Sequence, residues 1–428
     1  MEQPLRNWAG NYQFSSLRIH RPTSVEEVQD LVLSCKKLRV LGAGHSFNGI
    51  ADTDGDLVSL ERMNRVLMID ETRSTVTFEA GLKYGDLCQQ IHSKGYALHN
   101  LASLPHTTIA GAVATATHGS GDKNGNLATA VSGLEIVNGL GQVVTLSKET
   151  DGIEFEGAVV ALGGLGVVTK LTLSLIPAFE VRQLVYQGLS LSEVEENFDR
   201  IFSGAYSVSL FTQWKSSTID QMWLKQKLEK GSDWAPVEPA LFGATLAKED
   251  LHPIIDLSPI HCTKQMGVPG PWYERLPHFR MNFTPSSGEE LQAEYLIPRQ
   301  NAIAALKILD SLKELITPVV QICELRTIAG DVLWMSPFFR QPCLAIHFTL
   351  IKDWQAVSKV LPILDEDLKP LQPRPHWGKL FTLSQDRVKS CYCKLPDFRQ
   401  LMKSFDPDGK FCNNFLQTYI NDDPTSKV

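Results

Sequence analysis

The chain has eight cysteines and eleven histidines, yet no Cys-x-x-Cys and no His-x-x-x-His spacing. The common zinc-site patterns are therefore missing. Cys391-Tyr392-Cys393 has no second ligand pair, so metal is set aside and the cysteines read as free, partly buried thiols. An excess of basic charge is also missing. Lys plus Arg number 41 against 48 Asp plus Glu, a net charge of −7, the wrong sign for a nucleic-acid partner. Long apolar runs are absent too. The longest stretch free of charged residues, Gly95 to Gly121, carries three histidines, Pro105 and many Gly, Ser and Thr, which exclude a membrane span. No apolar segment follows a basic start at Met1, so no secretory leader is read and a cytoplasmic protein is expected. The sequon Asn282-Phe283-Thr284 is accordingly taken as chance. A Gly-Lys-Ser/Thr phosphate loop is missing, and Phe47 stands where a dinucleotide fingerprint needs its third glycine, so ATP and nicotinamide sites are disfavoured.

What is present is an ordinary globular composition, 43% hydrophobic and 21% charged over 428 residues, long enough for two or three domains. Ser24 three residues before Glu27, then Val25, Val28, Leu31, Val32 and Cys35, predicts a capped helix ending near Lys37. Leu38 to Leu41 and Leu57 to Leu60 read as strands, and Tyr84 to His92 returns to helical spacing. Two hairpins are expected, Val66–Ile69 with Val76–Ala80 and Leu134–Asn138 with Gln142–Leu146. Val167 to Ile176 alternates and stops at Pro177. Short helices mixed with hairpins predict an α+β fold rather than a doubly wound sheet. The first boundary falls at Pro177 to Phe179, giving domains at 1–178 and 179–376 and a closing segment at 377–428.

Three glycine-rich loops crowd the first domain: Gly42-Ala43-Gly44-His45-Ser46 after a strand, Thr117-His118-Gly119-Ser120-Gly121, and Gly163-Gly164-Leu165-Gly166. Glycine removes Cβ and lets backbone N–H groups approach oxygen. A single such loop is more often an ordinary turn, but three together suit a pyrophosphate.

Long blocks carry a resemblance. Asn7 to Asn11, Leu41 to Asn48, Ala102 to His106, Thr117 to Gly121, Leu162 to Thr169, Gly267 to Phe279, Phe283 to Leu291, Cys323 to Thr327, His347 to Thr349, Arg374 to Lys379 and Lys410 to Asn413 resemble the vanillyl-alcohol oxidase flavoproteins, most closely their alditol oxidases. The resemblance implies a two-domain FAD-binding fold, with a mixed α/β FAD domain, an antiparallel-sheet substrate (cap) domain roofing the flavin, and a tail returning to the FAD domain. It implies FAD bound covalently through His45. It assigns to the cofactor Val40, Leu41, Gly42, Ala43, Gly44, His45, Ser46, Ser103, His106, Gly111, Thr117, His118, Gly119, Ser120, Gly121, Gly166, Val167, Lys379 and Asn413.

On the substrate side, Glu324 and Arg326 lie two apart in an apolar run, as do His347 and Thr349, so each pair leaves one face of a strand. The plain alternative is a solvated sheet face or a Glu-Arg ion pair; with the resemblance, a polyol site is preferred. Flavin oxidation of an alcohol needs loss of a hydride, loss of the hydroxyl proton and a positive charge near the reduced ring. Lys379 and Arg326 are the expected catalytic pair, with Lys379 as base because arginine does not release its proton. Ser103, Glu324, His347 and Thr349 are expected to hold substrate hydroxyls, and Glu324 to anchor Arg326.

The expected reaction oxidises a terminal hydroxyl of xylitol, sorbitol or a related polyol, with O2 as acceptor, in a monomer without nucleic-acid or membrane partners. An aldonolactone oxidase is the nearer alternative, disfavoured by Gly378 and the Cys-Glu-Leu-Arg-Thr block. A non-catalytic flavin-binding protein is the further one. Thr425-Ser426-Lys427-Val428 approaches the peroxisomal Ser-Lys-Leu address but ends in Val, leaving peroxisomal import as the minority expectation.

Overall fold

The computed structural model describes residues 5–16, 18–228, 231–281, 283 and 288–421. Asn282 and Thr284 of the sequon and the 425–428 tail lie outside the described residues. Ser24 caps the helix Val25–Ser34 by accepting from Glu27 N at 3.2 Å. The helix stops three residues short of the predicted Lys37. Cys35 turns extended, and the chain must reach Leu38, whose N–H is already committed to Lys410 O at 3.0 Å.

Arg18–His20, Asp56–Val58 and Leu38–Val40 form a small parallel sheet, with Asp56–Val58 in the middle. A five-stranded antiparallel sheet follows, ordered Val66–Asp70, Thr75–Glu79, Val167–Ser174, Val131–Val137, Val143–Ser147. It contains both expected hairpins. Tyr84–His92 is a helix as its spacing predicts, burying Tyr84, Leu87, Cys88 and Ile91. The helix Leu395–Phe405 of the closing segment shares one core with these elements, placing Phe398 and Leu401 beside Phe155 and Ala158.

Between them runs a ten-stranded antiparallel sheet, built mainly from Glu180–Ser190, Ser207–Thr212, Thr218–Lys227, Glu290–Pro298, Val320–Ile328 and Cys343–Ile351. Alternation gives it two unlike faces. Leu210, Leu325, Ile346, Phe348 and Tyr295 point to one side, where helices Leu191–Phe202, Ala302–Ser311 and Trp354–Leu368 cover them. The other face is polar yet buried. Directly opposed residues of an antiparallel pair share a face, and Phe211, Glu324, His347 and Glu294 form one such row across four strands.

Among the described residues no helix is long and apolar enough to cross a membrane.

Candidate active site

The strand Leu38–Val40 makes its last ladder-like bond from Leu41 N to Val58 O, 2.8 Å. Among the described residues, the next five N–H groups, Gly42 to Ser46, then donate to no protein acceptor, until Phe47 N reaches Gly378 O at 2.8 Å. Gly44 has φ +69°, and a Cβ on Gly42 would sit 2.5 Å from Thr108 Oγ1. A run of unspent donors in a tight glycine loop is the chemistry an oxygen-rich pyrophosphate requires. The residues therefore fit FAD.

The other two loops have structural partners of their own. In Thr117–Gly121 the N–H groups of His118 to Ser120 also lack a protein acceptor among the described residues. Gly119, however, is glycine because a Cβ would lie 2.3 Å from Asn100 Oδ1 and 2.4 Å from Leu101 O. Gly121 N donates to Thr327 O at 2.8 Å, Ser120 Oγ to Val208 O, and His118 Nε2 lies 3.1 Å from Glu294 Oε1. This loop stitches the first domain to the large sheet. In the third loop, Leu162 O and Gly163 O both accept from the buried Arg39 at 2.9 Å, and a Cβ on Gly166 would meet Val137 O. The first loop is thus the most open of the three, and the other two combine unspent N–H groups with contacts to the rest of the chain. Asn413 likewise spends its amide within the chain. It donates to Gly49, Ile50 and Asp52 carbonyls at 2.8–3.1 Å and caps Leu416 N. Gly111 lies in the Ile109–Ala114 helix, packed against the same Thr108 as Gly42, and Val167 opens the strand after Gly166.

His45, at the end of the open cradle, stacks on Trp8 with centroids 5.0 Å apart. Burial first, then Lys379, His106 and Lys83, push its imidazole down to about 4, so at neutral pH the ring is uncharged. The loop is clipped to the segment carrying Lys379. Asn48 Nδ2 donates to Trp377 O (2.9 Å) and Lys379 O (2.7 Å), and the Lys379 ammonium sits 5.1 Å over Phe47. Ser103 and His106 come from the 101–108 segment, where His106 Nε2 and Thr107 Oγ1 are buried without a hydrogen bond. Phe279 N donates to Ser103 O at 3.4 Å, bringing the large domain over that segment.

Glu324, Arg326, His347 and Thr349 share one face of the sheet, as their spacing predicts, and all four are buried there. Arg326 is paired with Glu324, as expected, and with a second carboxylate besides. Its Nη2 bonds Glu294 at 2.9 Å, whereas Glu324 lies 3.5 Å from Nε. Glu294, missed in the sequence, also takes His118 and His347 at 3.1 and 3.4 Å. Burial alone would raise Glu294, but those two histidines outweigh it and hold the carboxyl well below the usual range. Gln292 was missed as well. Its Oε1 accepts from Lys379 and its amide donates to Glu290. Burial lowers Lys379, Glu294 and Glu290 partly restore it, and Arg326 lowers it further. The signal for both omissions was the alternation Glu290, Gln292, Glu294 along one strand.

His20, Cys35 and Asp56 come within 4.8 Å of one another, on the small parallel sheet. Arg18 already pairs with Asp56 at 3.3 Å, and a guanidinium there opposes a cation.

A donor-rich cradle ending in an uncharged histidine, beside a lysine and a buried strand surface that carries an arginine, is an arrangement that suits an FAD-dependent oxidoreductase. Residues 17–147 match the family model described as FAD binding domain, and residues 285–419 that of D-arabinono-1,4-lactone oxidase. The chain is 44% identical over 424 residues to an alditol oxidase of Streptomyces sp., covering 98% of this chain and 100% of that protein. It is 28% identical over 438 residues to L-gulonolactone oxidase of Mus musculus, covering 96% and 97%. With L-gulono-1,4-lactone dehydrogenase of Mycobacterium tuberculosis it shares 27% over 427 residues, covering 97% and 98%. The chain belongs to the alditol oxidase family within the vanillyl-alcohol oxidase type of FAD flavoproteins, with the α+β two-domain fold of that type.

Proposed function

We propose that this enzyme oxidises a terminal hydroxyl of an alditol, xylitol, sorbitol or a related polyol, to the aldose and reduces O2 to hydrogen peroxide. The carrying observation is the clip from Phe47 and Asn48 to Gly378 and Lys379, which sets a partly buried amine beside the cradle histidine and the polar strand face. FAD, when bound, supplies the acceptor for two electrons and hands them to O2. The balance is then one alcohol and one O2 in, one aldehyde and one peroxide out.

Lys379 takes the hydroxyl proton. An uncharged lysine donates one N–H to Gln292 Oε1 and keeps its lone pair for the substrate. Arg326, held by Glu294, offers fixed positive charge where negative charge develops. Ser103, Glu324, His347 and Thr349 receive the remaining hydroxyls. His45 bonds the flavin covalently, which its uncharged imidazole and its place at the end of the cradle support. Residues 1–178 and 377–428 hold the cofactor and 179–376 the substrate, in a cytoplasmic monomer.

A peroxide assay across a polyol series and a set of aldonolactones tests the reading. Turnover of pentitols and hexitols is expected. Turnover of aldonolactones alone refutes it in favour of the lactone oxidase that the 285–419 match names.

A further inference from the structure

Behind Glu324 the polar face holds an amine and an imidazole that the chemistry above leaves unused. Lys225, near the end of the strand Thr218–Lys227, is 1% exposed, and His278, from the loop after Trp272–Glu274, is 6% exposed. Lys225 Nζ lies 2.5 Å from Leu276 O, 3.1 Å from Pro277 O and 3.2 Å from His278 Nδ1. His278 Nε2 lies 2.7 Å from Glu324 Oε1. Phe211 and Trp223 pack edge-on against the ring, centroids 5.5 and 5.3 Å away.

An ionised carboxylate only accepts, so His278 carries its proton on Nε2. The two carbonyls and Nδ1 then take all three donors of an ammonium. With the shared proton moved across, Nδ1–H donates to the amine, and the two remaining amine N–H bonds still meet the carbonyls. Either way Nε2–H faces Glu324. Without Lys225, Nδ1 loses its donor, and the tautomer rests on Glu324 alone among the described residues. Burial pushes Lys225 down to about 7 and His278 to about 4, which leaves the extra proton on the lysine. Arg326 and His278 outweigh burial and keep Glu324 ionised, below the usual carboxylate range.

We propose that Lys225 and His278 are positioning residues for polyol recognition: Lys225 donates to Nδ1 and so supports the tautomer that Glu324 requires of His278, and His278 binds one oxygen of Glu324 so that the other is held out for a substrate hydroxyl. That second oxygen lies 3.5 Å from Arg326 Nε, too far for a strong hydrogen bond, and remains an acceptor. The inference rests on the polyol reading of the site. Its consequence is selectivity, because a buried acceptor left unpaired penalises any substrate lacking the matching hydroxyl.

The test compares flavin-loaded wild type with His278→Gln, His278→Leu and Lys225→Met. Four quantities are read: KM for xylitol, the limiting rate of anaerobic flavin reduction, Tm, and the imidazole nitrogen–proton correlations of 15N-histidine-labelled protein. The His278 signal is identified by its loss in His278→Gln. His278→Leu is expected to raise KM about 10- to 100-fold, the scale of one hydrogen bond to a charged group, while the limiting rate changes less than about threefold. His278→Gln, whose amide still donates, recovers part of the loss. Lys225→Met raises KM and shifts the His278 Nδ1 signal, which loses its donor, while Nε2–H stays on Glu324. Lower Tm and flavin content with an unchanged KM in the loaded fraction describe a merely structural pair and overturn the proposal. Should Lys225→Met fail to fold, the two His278 variants decide alone. A wild type that oxidises no polyol refutes the function, whereas a wild-type His278 carrying its proton on Nδ1 alone refutes the positioning.

Discussion

Glu294→Gln removes one charge from the most crowded carboxylate of the site at almost no change in volume. Glu294 is 3% exposed and receives Arg326, His118 and His347 at 2.9, 3.1 and 3.4 Å. After the change Arg326 is left with Glu324 at 3.5 Å. Removing one partner of a buried pair strands the other charge and costs about 3–5 kcal/mol. At about 2.1 cal/mol/K per residue, 428 residues have an unfolding entropy near 0.9 kcal/mol/K, so Tm at neutral pH falls by roughly 3–6 °C. The sign of the pH dependence follows from the direction of the shift. Glu294 is held below its unfolded value, so its contribution is complete above the ordinary glutamate range and is lost as pH falls through the depressed folded value. The gap between wild type and variant should be full from pH 6 to 8 and shrink below roughly pH 4.5. Thermal melts followed by flavin fluorescence across pH 3.5 to 8 measure it. A gap absent at pH 7, or unchanged in acid, refutes the assignment of Glu294 as the hub.

His45→Ala should yield folded protein whose flavin passes into the supernatant on acid precipitation; flavin still attached to the protein would refute His45 as the link. Lys379→Met should slow flavin reduction by at least about 100-fold and remove the acid limb of its pH profile, since burial lowers the amine of Lys379 and only the uncharged form is a base. A near-wild-type rate would sink the mechanism. Gly119→Ala places a methyl 2.3 Å from Asn100 Oδ1 and 2.4 Å from Leu101 O, an overpacking that costs about 1–3 kcal/mol. An unchanged Tm would show that the loop yields more easily than its contacts imply.

Much of this was legible in residue order alone. Both hairpins and the Tyr84–His92 helix follow from period, because local alternation and local burial agree there. Glu324, Arg326, His347 and Thr349 were legible by the same rule applied to a polar face. Glu294 and Gln292 obey it too, but their strand begins at Glu290 and reads like a solvated edge until the covering domain is known. Lys225 was hidden for the same reason, alternating with Gln221 and Trp223 on a strand whose cover is distant in sequence. His278 lies in a loop without period and had no local signal. The glycine loops show the limit from the other side. Gly42–Gly44, Gly119–Gly121 and Gly163–Gly166 have similar composition, yet among the described residues only the first keeps five consecutive donors free of protein acceptors. A turn that admits a phosphate and a turn that admits a neighbouring carbonyl need the same residue, and only tertiary contact separates them.

The charge pattern of the polar face ties stability to chemistry. A base must be uncharged to work; burial lowers the amine of Lys379 most, and the nearby Arg326 adds to that lowering. Glu294 counters this twice, by pairing with the guanidinium and by raising Lys379 directly. The buried carboxylate is costly in isolation, but it sets where on the pH scale the amine becomes a base. Glu294→Gln should therefore shift the acid limb of flavin reduction to lower pH while lowering the plateau, because Arg326 loses its tether. A structural ion pair would lower the plateau and leave the limb in place. An unmoved limb in protein with full flavin content would separate Glu294 from the tuning of Lys379 and leave it only the role of holding Arg326.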